Sequence, residues 1–480
     1  MLVFISLWVL RFSFTRNFAH FTRVIDLSVS LFVCLSQYQM MSQKKIFLLL
    51  VAISTVSLLL HHGGHLSWTL EVFRLNCPSK NSETNVKHTN VLFLKTHKTA
   101  STTVQNIFFR FAERNNLTVA LPVTPCDHQF CYPRIFSSHF VHPHTMPPNI
   151  VTSHMRFSRS ELRRMMPSDT IYITIMREPG AMFESLFSYY NQYCDTFKRV
   201  PNGSLDTFLD KPWEYYRPDE KDSMYARNTL TFDLGGDKDR SSADVESYAK
   251  RFAAEMGNVF SLVMIAEYFD ESLVLLRHLL SWDLEDVLYI KQNMRMPLSK
   301  NNLSEAQLVK IRQWNAIDAV LYDYFNASLW RQLKEFGLAC VAREVKLLRR
   351  AQEQMVRGCF GGKLPQLRGA KEITNKELRP WQPSSKVTIA GYELPINATQ
   401  ESGMSQDMCL KMVMPELPYT KRLLYLHMQR YRNRYFLNAM QRNAMKFNNQ
   451  DQKGFNLHHS VTLGRGTKKA AQFSNQPRQN

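Results

Sequence analysis

The stretch that most limits the fold of this chain is Asn90 to Arg114, where a strand-length apolar run, a tight loop and an amphipathic helix follow without a gap. Asn90–Lys95 is apolar enough to be buried on both faces of a sheet. From Thr102 to Arg114, Val104, Ile107, Phe108 and Phe111 recur at helical spacing and predict one buried face. The unit repeats. Asn149–Ser153 is a second buried-strand candidate, running into His154. Thr170–Met176 is a third, followed by Arg177, Glu178 and Pro179 and a helix to about Tyr193. Pro179 suits a first helical turn, where its missing N–H costs nothing. A fourth strand, Ser261–Ala266, ends at Glu267 before a helical Asp270–Leu280, and Leu303 to Cys359 reads as mostly helical. Short apolar strands alternating with helices predict an α/β fold with a central parallel sheet flanked by helices.

The loop Lys98–Thr103 has its own chemistry. A strand, a loop of small residues and a helix N-terminus turn successive backbone N–H groups toward one anion. The glycine frame of a Walker A loop is absent, and no aspartate stands out as a Mg²⁺ ligand. The loop is therefore P-loop-like in shape but not that of a nucleotide triphosphatase. No tightly bound metal is expected.

The compartment is read from three features. Ile46–Leu60 carries no charge and follows Lys44 and Lys45. Extended to Gly64 it predicts a transmembrane signal-anchor with its N-terminal side cytoplasmic, a type II topology. The N-x-[ST] acceptors Asn116, Asn202, Asn302, Asn326 and Asn397 all lie on the luminal side of that anchor. The 8 cysteines show no C-x-x-C spacing, so disulfides are expected, with Cys126 and Cys131 near enough to close a small loop. The formal charge of +19 is partly a tail effect: beyond Tyr419 the only acid is Asp451. No nucleic-acid signature accompanies it.

Lys98 to Thr103 resembles the 5′-phosphosulfate loop of sulfotransferases that use 3′-phosphoadenylyl sulfate (PAPS), and Thr170 to Ser185 resembles their 3′-phosphate element. The phrases FLKTHKTAS, SLFSYYNQYC and SLVMIAEYFDESLVLLRHLL are similar to those of the galactose 3-O-sulfotransferases, over roughly residues 90–340, with weaker echoes in WQPSSKV and GYELP. Within that family the chain looks most like its glycoprotein-directed branch. The resemblance implies a P-loop-like sulfotransferase fold. It also implies PAPS as co-substrate, held by Lys98, Thr99, Ala100, Ser101, Thr102, Thr103, Arg177 and Ser185. Lys98 would neutralise the leaving oxygen, and His154 would be the base that removes the acceptor proton. His97, Arg156 and Glu267 are secondary candidates, His97 as a structural or donor-contacting residue.

The implied domains are a cytoplasmic segment 1–45, an anchor 46–64 and a stem 65–88. A luminal sulfotransferase domain 89–360, a luminal extension 361–439 and a basic, disordered tail 440–480 follow. Residues 1–39 are assigned no function. The implied partners are β-galactosyl-terminated glycans on glycoproteins and the Golgi membrane, with homo-oligomerisation left open. Rival readings are a glycan or lipid kinase, a galactosylceramide sulfotransferase, and a catalytically silent Golgi glycan-binding protein of the same fold.

Overall fold

The computed structural model describes residues 51, 54, 77, 86–240, 243–296, 302–384, 387–395 and 405–466, the last of these as backbone alone from 443. The chain divides into Met1–Asn76 and Cys77–Asn480. Of the first unit only Val51 and Ser54, both helical, are described. Apart from these two residues of the expected anchor, and Cys77 and 86–88 of the stem, both segments lie outside the described residues. Among the described residues no helix is long and apolar enough to cross a membrane.

The second unit is built on a parallel sheet of β1 (Val91–Leu94), β2 (Val119–Ala120), β3 (Ile150–Val151), β4 (Ile171–Met176) and β5 (Leu262–Ile265), in the order β2-β3-β1-β4-β5. Register pairs Leu94 with Thr174 and Met176 with Ile265, so β1, β4 and β5 end side by side. All 4 residues of β1 are fully buried, as a central strand covered on both faces requires. The connecting helices are α1 (Ser101–Arg114), α2 (Arg159–Met165), α3 (Pro179–Tyr190), α4 (Val245–Gly257) and α5 (Phe269–Leu279). Three more, α6 (Glu305–Trp314), α7 (Ala316–Phe336) and α8 (Leu338–Cys359), fill the region read as helical, and α7 packs on α4 and β5.

Two features extend the expected plan. A small antiparallel sheet joins β6 (Met294–Arg295), β7 (Arg368–Gly369) and β8 (Ile389–Gly391) in the order β6-β8-β7. Two helices close the chain, α9 (Gln406–Val413) and α10 (Glu416–Gly466). The start of α10 lies on α1: Tyr419 is fully buried and donates to Glu113 Oε2 at 3.0 Å, while Arg422 reaches Oε1 at 2.9 Å. The segment 361–439 is therefore part of the same compact unit as the sheet. α10 runs on through 440–466 of the tail expected to be disordered, and 467–480 lie outside the described residues. Disulfides join Cys77 to Cys340, Cys126 to Cys131 and Cys359 to Cys409. Cys194 is free and buried, and Cys34 lies outside the described residues.

Candidate active site

The strands end around the loop after β1. Lys98 and Ala100 both take left-handed backbone angles, φ 58° and 67°, in a turn that most chains would give to glycine. Ala100 stands at the N-cap of α1 and provides no side-chain cap, so the helix end keeps N–H groups for an incoming anion. Two of the loop hydroxyls brace the loop itself, and a third ties it to a distant segment. Ser101 Oγ donates to the Thr96 carbonyl at 2.6 Å, Thr99 Oγ1 lies 2.8 Å from Thr96 Oγ1, and Thr103 Oγ1 accepts the Gln292 N–H at 2.9 Å. The backbone N–H groups of the helix end and Lys98 are thus available to an anion, and so is the Thr103 O–H, since Thr103 Oγ1 only accepts from Gln292.

Lys98 lies with its ammonium 3.6 Å from the centre of the Tyr189 ring. Burial first, then the cations Arg295, Arg177 and Lys95, pull its pKa down to about 7. The guanidinium of Arg177, at the end of β4, donates to the Lys98 carbonyl at 3.2 Å. Ser185 is buried on α3, two turns on from the strand end. Its neighbour Glu184 pairs with Arg295 of β6, both side chains over nine-tenths buried, and so ties the small sheet to this wall.

Two histidines stand opposite. His154 Nδ1 lies 2.9 Å from the Lys95 carbonyl, which only accepts, so Nδ1 carries the proton and Nε2 keeps its lone pair. Burial, then His97 and Lys95, hold the His154 pKa well below that of a free imidazole, so the ring is neutral at physiological pH. The ring of His97 stacks on it at 3.9 Å. His97 is held from the other side by Asp233, which accepts from its N–H at 2.9 Å and from Nδ1 at 2.9 Å, and also from the Tyr132 hydroxyl at 2.9 Å. Lys95 itself is 1% exposed and pairs with Glu416 at the start of α10.

Lys98, Thr99, Ala100, Ser101, Thr102, Thr103, His154, Arg177 and Ser185 all line one cavity of about 1100 Å³. Ligand cavities commonly run ~300–1,000 Å³, so this one has room for a nucleotide and a second substrate. A phosphosulfate donor fits the residues present: an uncapped helix end, a lysine, an arginine and a buried serine converge on it.

A family model described as galactose-3-O-sulfotransferase matches residues 29–427. The chain belongs to the galactose-3-O-sulfotransferase family. It is 58% identical over 388 residues to mouse galactose-3-O-sulfotransferase 3, covering 80% of this chain and 89% of the relative. The human counterpart is 57% identical over the same shares. Human galactosylceramide sulfotransferase is 40% identical over 335 residues, 69% of this chain and 77% of the relative. Membership makes the chain a sulfotransferase and implies PAPS as its sulfate donor.

Within this galactose-3-O-sulfotransferase, the secondary candidates separate. Glu267 lines the cavity, but its carboxylate accepts from the Glu178 N–H at 3.1 Å and the Tyr322 hydroxyl at 3.3 Å, which fixes the start of α3. Arg156 donates to the Gly236 carbonyl at 3.4 Å and lies over the Phe232 ring at 4.3 Å, a packing role. Asn116, Asn202 and Asn302 are exposed, Asn326 is half-buried within α7, and Asn397 lies outside the described residues. Sequence reasoning missed Lys95, Asp233, Arg295 and Glu416. Lys95 adjoins the loop and was within reach of a local reading. The others pair with residues more than 100 positions away, and no sequence spacing signals such pairs.

Proposed function

We propose that this enzyme transfers the sulfuryl group of PAPS to the 3-hydroxyl of a non-reducing terminal β-galactose. The acceptors are N-acetyllactosamine-type N-glycans and core 2 O-glycans of glycoproteins. The observation that carries this reading is the meeting, in one cavity, of the α1 N-terminus, Lys98 and a histidine whose tautomer leaves Nε2 able to accept a proton.

In the transfer, the galactose oxygen forms a bond to sulfur as the bond from sulfur to the phosphate oxygen breaks. The hydroxyl proton passes to His154 Nε2, and the electron pair of the broken bond stays on adenosine 3′,5′-bisphosphate. Lys98, in its charged form, stabilises that oxygen together with the N–H groups of α1. Arg177 and Ser185 grip the 3′-phosphate, the arginine as a fixed cation and the serine as a hydroxyl donor. The Lys95 carbonyl keeps the His154 ring turned for the proton.

The glycoprotein acceptor is supported by the higher identity to relatives named galactose-3-O-sulfotransferase 3 than to those named galactosylceramide sulfotransferase, 58% against 40%. A Golgi-membrane, single-pass type II placement with a luminal catalytic domain is supported by the uncharged 46–60 run, the exposed sequons Asn116, Asn202 and Asn302, and the three disulfides. The test supplies labelled PAPS with N-acetyllactosamine, a core 2 O-glycan and galactosylceramide side by side. Faster 3-sulfation of the two glycans supports the reading, and preference for galactosylceramide overturns the acceptor class.

A further inference from the structure

One sequence phrase has no part in the transfer as described. WQPSSKV begins with Trp381, a large apolar residue that is 49% exposed although it lines the same cavity as Lys98. A tryptophan serving only to pack the small sheet against α3 would be covered. Trp381 is also held in place. The Gln382 amide donates to the Pro380 and Ile389 carbonyls at 3.0 Å each, and its oxygen accepts the Ile389 N–H at 2.8 Å, locking the segment to β8. β8 pairs with β6, and β6 is bound to α3 through Arg295 and Glu184. The exposed ring is thus fixed relative to the donor wall and needs little ordering on binding.

Two tyrosine rings lie beside it. Tyr189, over which the Lys98 ammonium sits at 3.6 Å, is 6.1 Å from Trp381, ring centre to ring centre, at 47°. Tyr193, 40% exposed, lies 6.2 Å from Trp381 at 34°. Trp381 is one aromatic step from the ring that holds Lys98. A pyranose with its 3-hydroxyl at the reacting centre has its body within about that distance. Galactose, with its axial 4-hydroxyl, presents one face made of C–H groups, and such a face packs on an exposed aromatic ring while its hydroxyls turn to polar groups. His128 and Gln129, which line the same cavity, supply such groups from the loop closed by Cys126 and Cys131.

We propose that Trp381, backed by Tyr189 and flanked by Tyr193, is the acceptor platform on which the apolar face of the terminal galactose stacks. The inference rests on the galactoside-acceptor reading above. It assigns the C-terminal extension to acceptor recognition and leaves donor binding to the loop after β1, α3 and Arg177.

The test measures steady-state kinetics for wild type, Trp381→Ala, Trp381→Phe and Tyr193→Ala with N-acetyllactosamine and PAPS, alongside adenosine 3′,5′-bisphosphate affinity. For Trp381→Ala the acceptor KM should rise at least tenfold while PAPS KM and bisphosphate affinity stay within twofold. Trp381→Phe should recover most of the loss, and Tyr193→Ala should show a smaller rise. Unchanged acceptor KM in Trp381→Ala overturns the platform, and so does a parallel loss of bisphosphate affinity, which marks a merely structural role. If wild type binds the bisphosphate but sulfates no galactoside, the functional reading itself fails, an outcome distinct from both.

Discussion

Replacing Glu416 by alanine should destabilise the protein severely, and more at neutral than at alkaline pH. Glu416 is the partner of Lys95, whose side chain is 1% exposed, and its own side chain is 16% exposed. Removing one member of a buried ion pair costs about 3–5 kcal/mol, because the other charge is left without compensation. Lys95 has one escape, which is to release its proton. At pH 7 that costs about 4.6 kcal/mol for a lysine of ordinary pKa near ~10.4, at 1.36 kcal/mol per unit, so the penalty is capped near the top of the range. Burial already lowers the Lys95 pKa, and Glu416 opposes that shift. Without Glu416 the folded-state pKa lies further below the unfolded value. Between the two values the unfolded chain binds more protons, so the variant regains stability as pH rises through that window. Urea unfolding followed by tryptophan fluorescence at pH 7, 8 and 9 measures this. The expected result is a deficit of about 3–5 kcal/mol at pH 7 that shrinks by up to ~1.4 kcal/mol per pH unit. The double variant Lys95→Met with Glu416→Leu should recover most of the loss, since no charge is then buried alone. A deficit under about 1 kcal/mol at pH 7, or one that does not change with pH, would refute the buried-pair argument.

Because the Lys98 pKa is lowered to about 7, adenosine 3′,5′-bisphosphate should bind more weakly as pH rises above 7, where the lysine loses its charge. Calorimetry at pH 8 in buffers of different ionisation enthalpy should show proton uptake, and Lys98→Met should abolish it. If Ser185 grips the 3′-phosphate as proposed, Ser185→Ala removes a hydrogen bond to a charged group worth about 1.5–3 kcal/mol, and bisphosphate affinity should fall roughly tenfold to a hundredfold. Ala100→Gly relieves a left-handed N-cap at φ 67° on an exposed residue and should stabilise the fold by about 1 kcal/mol in the same urea assay.

What the sequence made legible was local. The strand, loop and helix from Asn90 to Arg114, the Thr170–Met176 strand and its Arg177 and Ser185 all fall within a few residues of their expected bounds, because each is written in contiguous apolar periodicity. The small sheet was not legible, since strands of 2 or 3 residues carry no measurable alternation. Nor was the role of the extension. Glu416 meets Lys95 across 321 positions, and Trp381 meets Tyr189 only because β8 and β6 bring them together. Asp233 likewise reaches His97 from a short helix that has no motif of its own. The loop hydroxyls illustrate the converse. Their residue types suggested anion contacts, and in the fold two of them, Thr99 and Ser101, also brace the turn, a role no residue type announces.

The most direct test of the account is transfer by the purified protein from labelled PAPS to N-acetyllactosamine, with the position of the sulfate determined on the product. Wild type should yield galactose sulfated at the 3-position. His154→Ala should lose about 10²–10⁴-fold in kcat with bisphosphate affinity intact, and Lys98→Ala should lose both turnover and donor affinity. No transfer by wild type, sulfate at another hydroxyl, or undiminished turnover in the two variants would contradict it.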